Sequence, residues 1–110
     1  MAFNLASIRK SEGIKAPRVV LYGPHGLGKT TFAAHAPDPI FILTEDGLGN
    51  LEVDHFPLCQ SYQDAIDAIS SLIAEEHRFQ TVVIDSLDWL DNLIWKDINT
   101  RFDAKDLAYG

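Results

Sequence analysis

Eight consecutive residues constrain this chain more than any other feature. Gly23-Pro24-His25-Gly26-Leu27-Gly28-Lys29-Thr30 matches G-x-x-x-x-G-K-[ST] at every fixed position. With glycine near 7% of residues and comparable few-percent frequencies for the other fixed types, a chance match has a probability of roughly 4 in 100,000 per position. The pattern therefore implies a phosphate-binding loop rather than a glycine turn beside a surface lysine. Each part has a physical task. Glycines open backbone conformations closed to other residues and let the chain approach phosphate oxygens. Successive N–H groups then line one concavity, and the helix that follows adds its positive end. On this reading residues Gly23, Pro24, His25, Gly26, Leu27, Gly28, Lys29, Thr30 and Thr31 bind a nucleotide. Lys29 reaches the β- and γ-phosphates as a point charge, Thr30 offers its hydroxyl to Mg²⁺, and Thr31 faces the α-phosphate. His25 occupies a variable position and is read as a solvent-facing loop residue.

The surroundings of the loop set the fold class. Residues 18–22, Arg-Val-Val-Leu-Tyr, form an apolar run that suits a buried strand before the loop, and residues 29–36 read as a helix stopped by Pro37-Asp38-Pro39. Two further apolar runs, 40–44 and 81–85, have strand composition. Residues 53–58 suit a short strand limited to an edge by Pro57. Ser61 with Asp64 forms a capping pair ahead of a helix to about residue 77, carried by Ala65, Ile66, Ile69, Leu72 and Ile73. Leu87, Leu90, Leu93, Ile94 and Ile98 give another amphipathic helix, with Ser86 as its cap. Trp89 and Trp95, six residues apart, fall on different faces of that helix and are expected in core packing or at a partner interface. Apolar strands alternating with amphipathic helices predict an α/β fold: a three-layer core with a mainly parallel sheet.

Composition narrows the setting. The chain has 110 residues, 46% apolar and 23% charged, which is ordinary for one small globular domain. Residues 1–30 carry five basic groups and one acid, whereas residues 31–110 carry four basic groups and fifteen acids. The acidic part repels polyanions, so a broad nucleic-acid surface is not expected there. No apolar run approaches the roughly 18 residues that cross a membrane. The lone cysteine, Cys59, excludes an internal disulfide framework and fits a reducing compartment. Residues 1–16 are expected to form an arm.

A second carboxylate is expected beside the loop. Thr81-Val82-Val83-Ile84-Asp85 delivers an acid to the C-terminal edge of a sheet, where open α/β folds bind ligands. Asp85 there would hold Mg²⁺ together with Thr30. The next residue is Ser86, whereas many AAA+ ATPases place a water-activating glutamate at that position.

With Gly-Pro-His-Gly-Leu-Gly-Lys-Thr-Thr-Phe-Ala from Gly23, Thr-Glu-Asp-Gly from Thr44 and Val-Ile-Asp-Ser from Val83, the chain resembles RecA-like P-loop ATPases. More narrowly, it is similar to phage- and prophage-encoded ATP-binding proteins of the AAA/RecA type over residues 17–100. The resemblance implies Mg-dependent ATP binding and ATP hydrolysis in DNA recombination, replication or single-strand annealing, inside the host cytoplasm if the gene is phage-borne. It implies Glu45 as the general base that orients the attacking water, with Asp46 as the alternative, and Lys29 as the second catalytic group. It also implies homo-oligomers, and single-stranded DNA as a partner through regions outside this chain. The RecA-like core has further strands after the one ending in Asp85, so residues 17–110 are expected to be the N-terminal part of such a domain. Two other readings share the loop: a nucleotide-gated assembly module with little hydrolysis, and a small-molecule kinase.

Overall fold

The computed structural model describes residues 3–11, 13–24 and 28–102. It has a 3-10 turn at Leu5–Ser7, then α1 (Lys29–Ala34), β1 (Pro39–Leu43), β2 (Asp54–His55), α2 (Tyr62–Ala74), β3 (Thr81–Asp85) and α3 (Leu87–Arg101). The three strands form a parallel sheet in the order β2-β1-β3. This is the expected α/β class with a mainly parallel sheet.

The central strand explains the core. β1 is paired on both sides, with Ile40 opposite Asp54 and the whole run from Pro39 to Leu43 opposite Thr81 to Asp85. A strand flanked on both edges and covered on both faces must be apolar throughout. Ile40, Phe41, Ile42 and Leu43 are all buried, Phe41 completely at 0% exposure. Ile42 joins Cys59, Ala65, Ala68 and Leu93 in one cluster, with Phe56, Tyr62, Ile69, Ile84 and Leu90 packed against it. α2 and α3 therefore meet over the face of the sheet that carries Ile42 and Ile84.

The N-terminal edge of the sheet is stitched around Asp38. Its carbonyl accepts from the Gln80 amide at 3.0 Å, and its carboxylate accepts from Gln80 Nε2 at 2.7 Å. Thr81 Oγ1 donates to the Pro37 carbonyl at 2.7 Å. Arg78 bridges Asp54 at 2.7 Å and Asp38 at 3.7 Å, so one guanidinium spans the starts of β1 and β2.

Several expectations are corrected. Residues 18–22 form no strand, and every described residue before Pro24, and Pro24 itself, is exposed. Val20 keeps 68% of its surface. A strand requires a ladder partner as well as apolar composition, and this run pairs with none of the described strands. The strand expected over 53–58 is cut to Asp54–His55. Phe56 and Cys59 still donate to the carbonyls of Phe41 (3.0 Å) and Leu43 (2.9 Å), but Pro57 lacks an N–H and breaks the regular ladder. α1 ends at Ala34, short of residue 36, and α2 ends at Ala74, short of residue 77; Ile73, inside α2, is 82% exposed rather than on the core face. Trp89 and Trp95 are both about half exposed, so of their two expected placements the structure excludes the core and not a partner interface.

Candidate functional site

The parallel register decides which side chains meet. Leu43 lies opposite Asp85, so the residues just beyond β1 and β3 emerge together at the C-terminal edge of the sheet. The Thr44 amide continues the ladder by donating to the Asp85 carbonyl at 2.9 Å. Thr44 is buried yet fully employed: Oγ1 donates to the Ser86 carbonyl at 2.7 Å and accepts from the Ser86 amide at 2.8 Å. A hydroxyl is both donor and acceptor, so one side chain satisfies both backbone groups. The peptide bond between Asp85 and Ser86 is cis.

Two carboxylates stand on this edge. Asp85 accepts a hydrogen bond from Thr30 Oγ1 through Oδ2 at 2.8 Å, across 55 residues of sequence. Glu45 accepts one from Ser86 Oγ through Oε2 at 3.0 Å. Thr30, Asp85, Ser86 and Glu45 thus form one run of contacts at the ends of adjacent strands and the start of α1. Asp46, the alternative base, is exposed.

Of the loop residues, Gly23, Pro24 and those from Gly28 to Thr31 are described, and Thr30 joins this run directly. Gly28 precedes α1 with φ +81°, a left-handed conformation that glycine adopts without a Cβ penalty. Lys29 folds back, and Nζ donates to the carbonyls of Gly23 (2.6 Å) and Pro24 (3.1 Å). Thr31 is exposed, and its carbonyl is hydrogen-bonded with His35 Nδ1 at 2.8 Å. His25, Gly26 and Leu27 lie outside the described residues.

The donor set suits a hard cation. Mg²⁺ is usually held by one or two carboxylates or hydroxyls and completed by waters and substrate phosphates, rather than by an all-protein cage. Thr30 and Asp85 supply such a pair of oxygens, already in contact. Among the described residues, no group of three or more His, Cys, Asp or Glu side chains is placed to hold a metal.

Cys59 is a different kind of group. Burial pushes its thiol up from the ordinary value, and the Asp64 carboxylate adds to the effect. It borders a concavity of about 330 Å³ lined also by Phe56, Asp64, Asp67, Ala68 and Ser71. None of Lys29, Thr30, Glu45 or Asp85 lines that space, so it is separate from the edge where the carboxylates meet.

Thr44 and Ser86 stand in the quoted motifs, but their hydrogen bonds at this edge are not evident from the sequence. Thr44 passes for the last residue of an apolar strand, and Ser86 for a helix cap. The available signal was that each is a small polar residue directly beside an acid at a strand end.

A family model described as an AAA domain matches residues 15–108. The chain belongs to the AAA domain family. The match spans the phosphate loop, Glu45, Asp85 and all three strands, and it supports nucleotide binding of the ATPase type. Comparison with curated proteins and with solved structures gives no match. No helix among the described residues is long and apolar enough to cross a membrane.

Proposed function

We propose that this AAA-family chain binds ATP with magnesium and hydrolyses it, in the manner of the RecA-like proteins it resembles. The observation that carries the reading is the convergence of Thr30, Asp85 and Glu45 at one sheet edge. Residues 23–31 would wrap the triphosphate, and charge-assisted bonds to phosphate contribute about 1.5–3 kcal/mol each. Lys29 would exchange its two carbonyl partners for phosphate oxygens. Thr30 and Asp85 would hold the magnesium ion, which supplies neutralising charge at the β- and γ-phosphates.

Glu45 acts on water. It accepts a hydrogen bond from the nucleophile and aligns it with the γ-phosphorus. Water attacks that phosphorus, and the bond to the β,γ-bridging oxygen breaks with its electron pair going to ADP. The water proton passes to the carboxylate and on to solvent. Hydrolysis is proposed to serve DNA recombination or replication of the phage type, with single-stranded DNA and further copies of the chain as partners. The acidic balance of residues 31–110 argues that DNA does not lie broadly on that portion.

Calorimetric titration of ATP with magnesium into the intact protein tests the binding half. Wild type is expected to give saturable heat, and Lys29→Ala to weaken binding at least about tenfold, as loss of a charged hydrogen bond requires. Undiminished binding by Lys29→Ala contradicts the reading. Phosphate release with no added acceptor separates hydrolysis from kinase chemistry, and negligible release with ATP-dependent assembly points to the nucleotide-gated assembly module instead.

A further inference from the structure

Ser86 and Ser61 occupy the same position at the starts of two helices, and they use their hydroxyls differently. Ser61 precedes α2 with φ −146° and ψ 162°, and its Oγ accepts from the Asp64 amide at 3.2 Å. That is the usual employment of an N-cap serine. Ser86 precedes α3 with a similar backbone, φ −125° and ψ 167°, yet its side chain makes no cap hydrogen bond. Its Oγ turns to Glu45 and donates to Oε2.

The backbone of Ser86 is fastened as well. Both its amide and its carbonyl are hydrogen-bonded to Thr44 Oγ1, at 2.8 and 2.7 Å. Thr44 is buried, at 6% exposure, and belongs to the same strand end as Glu45. Glu45 is a long side chain with many rotamers, so an unrestrained carboxylate would sample several positions. Here one oxygen is tied to a residue that is itself tied to the neighbouring strand. The other oxygen, Oε1, faces Gly47, where an added Cβ would stand at 3.5 Å. That spacing is ordinary van der Waals contact, and the hydrogen bond from Ser86 to Oε2 leaves Oε1 as the carboxylate's second acceptor.

We infer that Ser86 is a positioning residue for Glu45: its hydroxyl, held in place by the Thr44 latch, orients the carboxylate so that Oε1 receives the water. The inference rests on the reading of Glu45 as base. It accounts for a helix start whose serine, in capping geometry, forgoes its cap.

The test is steady-state phosphate release by the intact protein, with KM for ATP and melting temperature measured alongside. Ser86→Ala is expected to lower kcat about tenfold or more, the effect of losing a hydrogen bond to a charged group, while KM stays within about twofold and melting is little changed. Ser86→Thr, which keeps the hydroxyl, is expected to recover most of the rate. An unchanged kcat in Ser86→Ala overturns the inference. So does a loss that travels with lost ATP binding or lost fold, which assigns Ser86 a structural role, and so do equal losses in Ser86→Ala and Ser86→Thr. Glu45→Gln is run in parallel. If it turns over at the wild-type rate, the base itself is misassigned, an outcome distinct from failure at Ser86.

Discussion

Val19-Val20-Leu21-Tyr22 and Ile40-Phe41-Ile42-Leu43 are nearly interchangeable as strings of letters, and the structure treats them oppositely. The second run is the middle strand of the sheet, paired on both edges and buried throughout. The first is exposed at every residue and enters none of the described ladders. Both lead toward the same site, one through the phosphate loop and one through Thr44 and Glu45. β-composition thus describes a surface suited to pairing, not a strand. What converts the one into the other is a neighbour in register with hydrogen-bonding groups to match.

Stability measurements separate the two runs. Phe41→Ala is expected to cost about 3–5 kcal/mol, because it removes a fully buried ring from the central strand. Val20→Ala in the exposed run is expected to change stability by no more than about 0.5 kcal/mol. Denaturant midpoints for the two variants check the pair, and equal costs would mean that residues 18–22 are packed after all.

Thr44→Val comes next. The replacement keeps the shape but orphans the Ser86 amide and carbonyl, and leaving such groups unpaired costs about 1–3 kcal/mol. A cost near zero, read from the same denaturant curves, would mean that the latch between the strand ends is dispensable.

The opposite edge sharpens the contrast with a smaller effect. Arg78 is 63% exposed, and its partners Asp38 and Asp54 are about half exposed. Exposed pairs are screened by water and salt, so Arg78→Ala should cost under about 1 kcal/mol, and less as salt is raised. A loss comparable to Thr44→Val would show that the N-terminal edge bears more of the sheet than its exposure suggests.

Cys59 gives the mildest effect. Its thiol is raised in the folded state, so the folded protein holds the proton over a pH range in which the unfolded chain releases it. Stability from this group is full below the ordinary thiol value and declines as pH rises through that value toward the raised one. Alkylation of Cys59 should therefore be slow at neutral pH and accelerate on unfolding. Rapid alkylation of the folded protein would contradict its burial.

Much of the fold was legible because it depends on each segment's own pattern. Residues 81–85 read as a strand and are β3, and Ser61 with Asp64 marked the start of α2. The cap is subtler than the pair suggested, since the Asp64 carboxylate accepts from the Gln60 amide at 2.9 Å. What escaped depends on neighbours. Periodicity at Ile73 and at the two tryptophans assigns a helix face without saying what covers it, and both tryptophans stay half exposed. The site divides the same way. Gly28, Lys29, Thr30 and Asp85 stand in local motifs, whereas the tie from Ser86 to Glu45 exists only because the register sets Leu43 opposite Asp85. No local pattern in the chain encodes that register directly.

The most direct test of the account is single-turnover phosphate release at saturating ATP with magnesium, comparing the intact wild-type protein with Glu45→Gln. The account predicts that the variant still binds ATP but releases phosphate at least about 100-fold more slowly, the lower range of a general base's contribution. Release at the wild-type rate from the ATP-bound variant would contradict it.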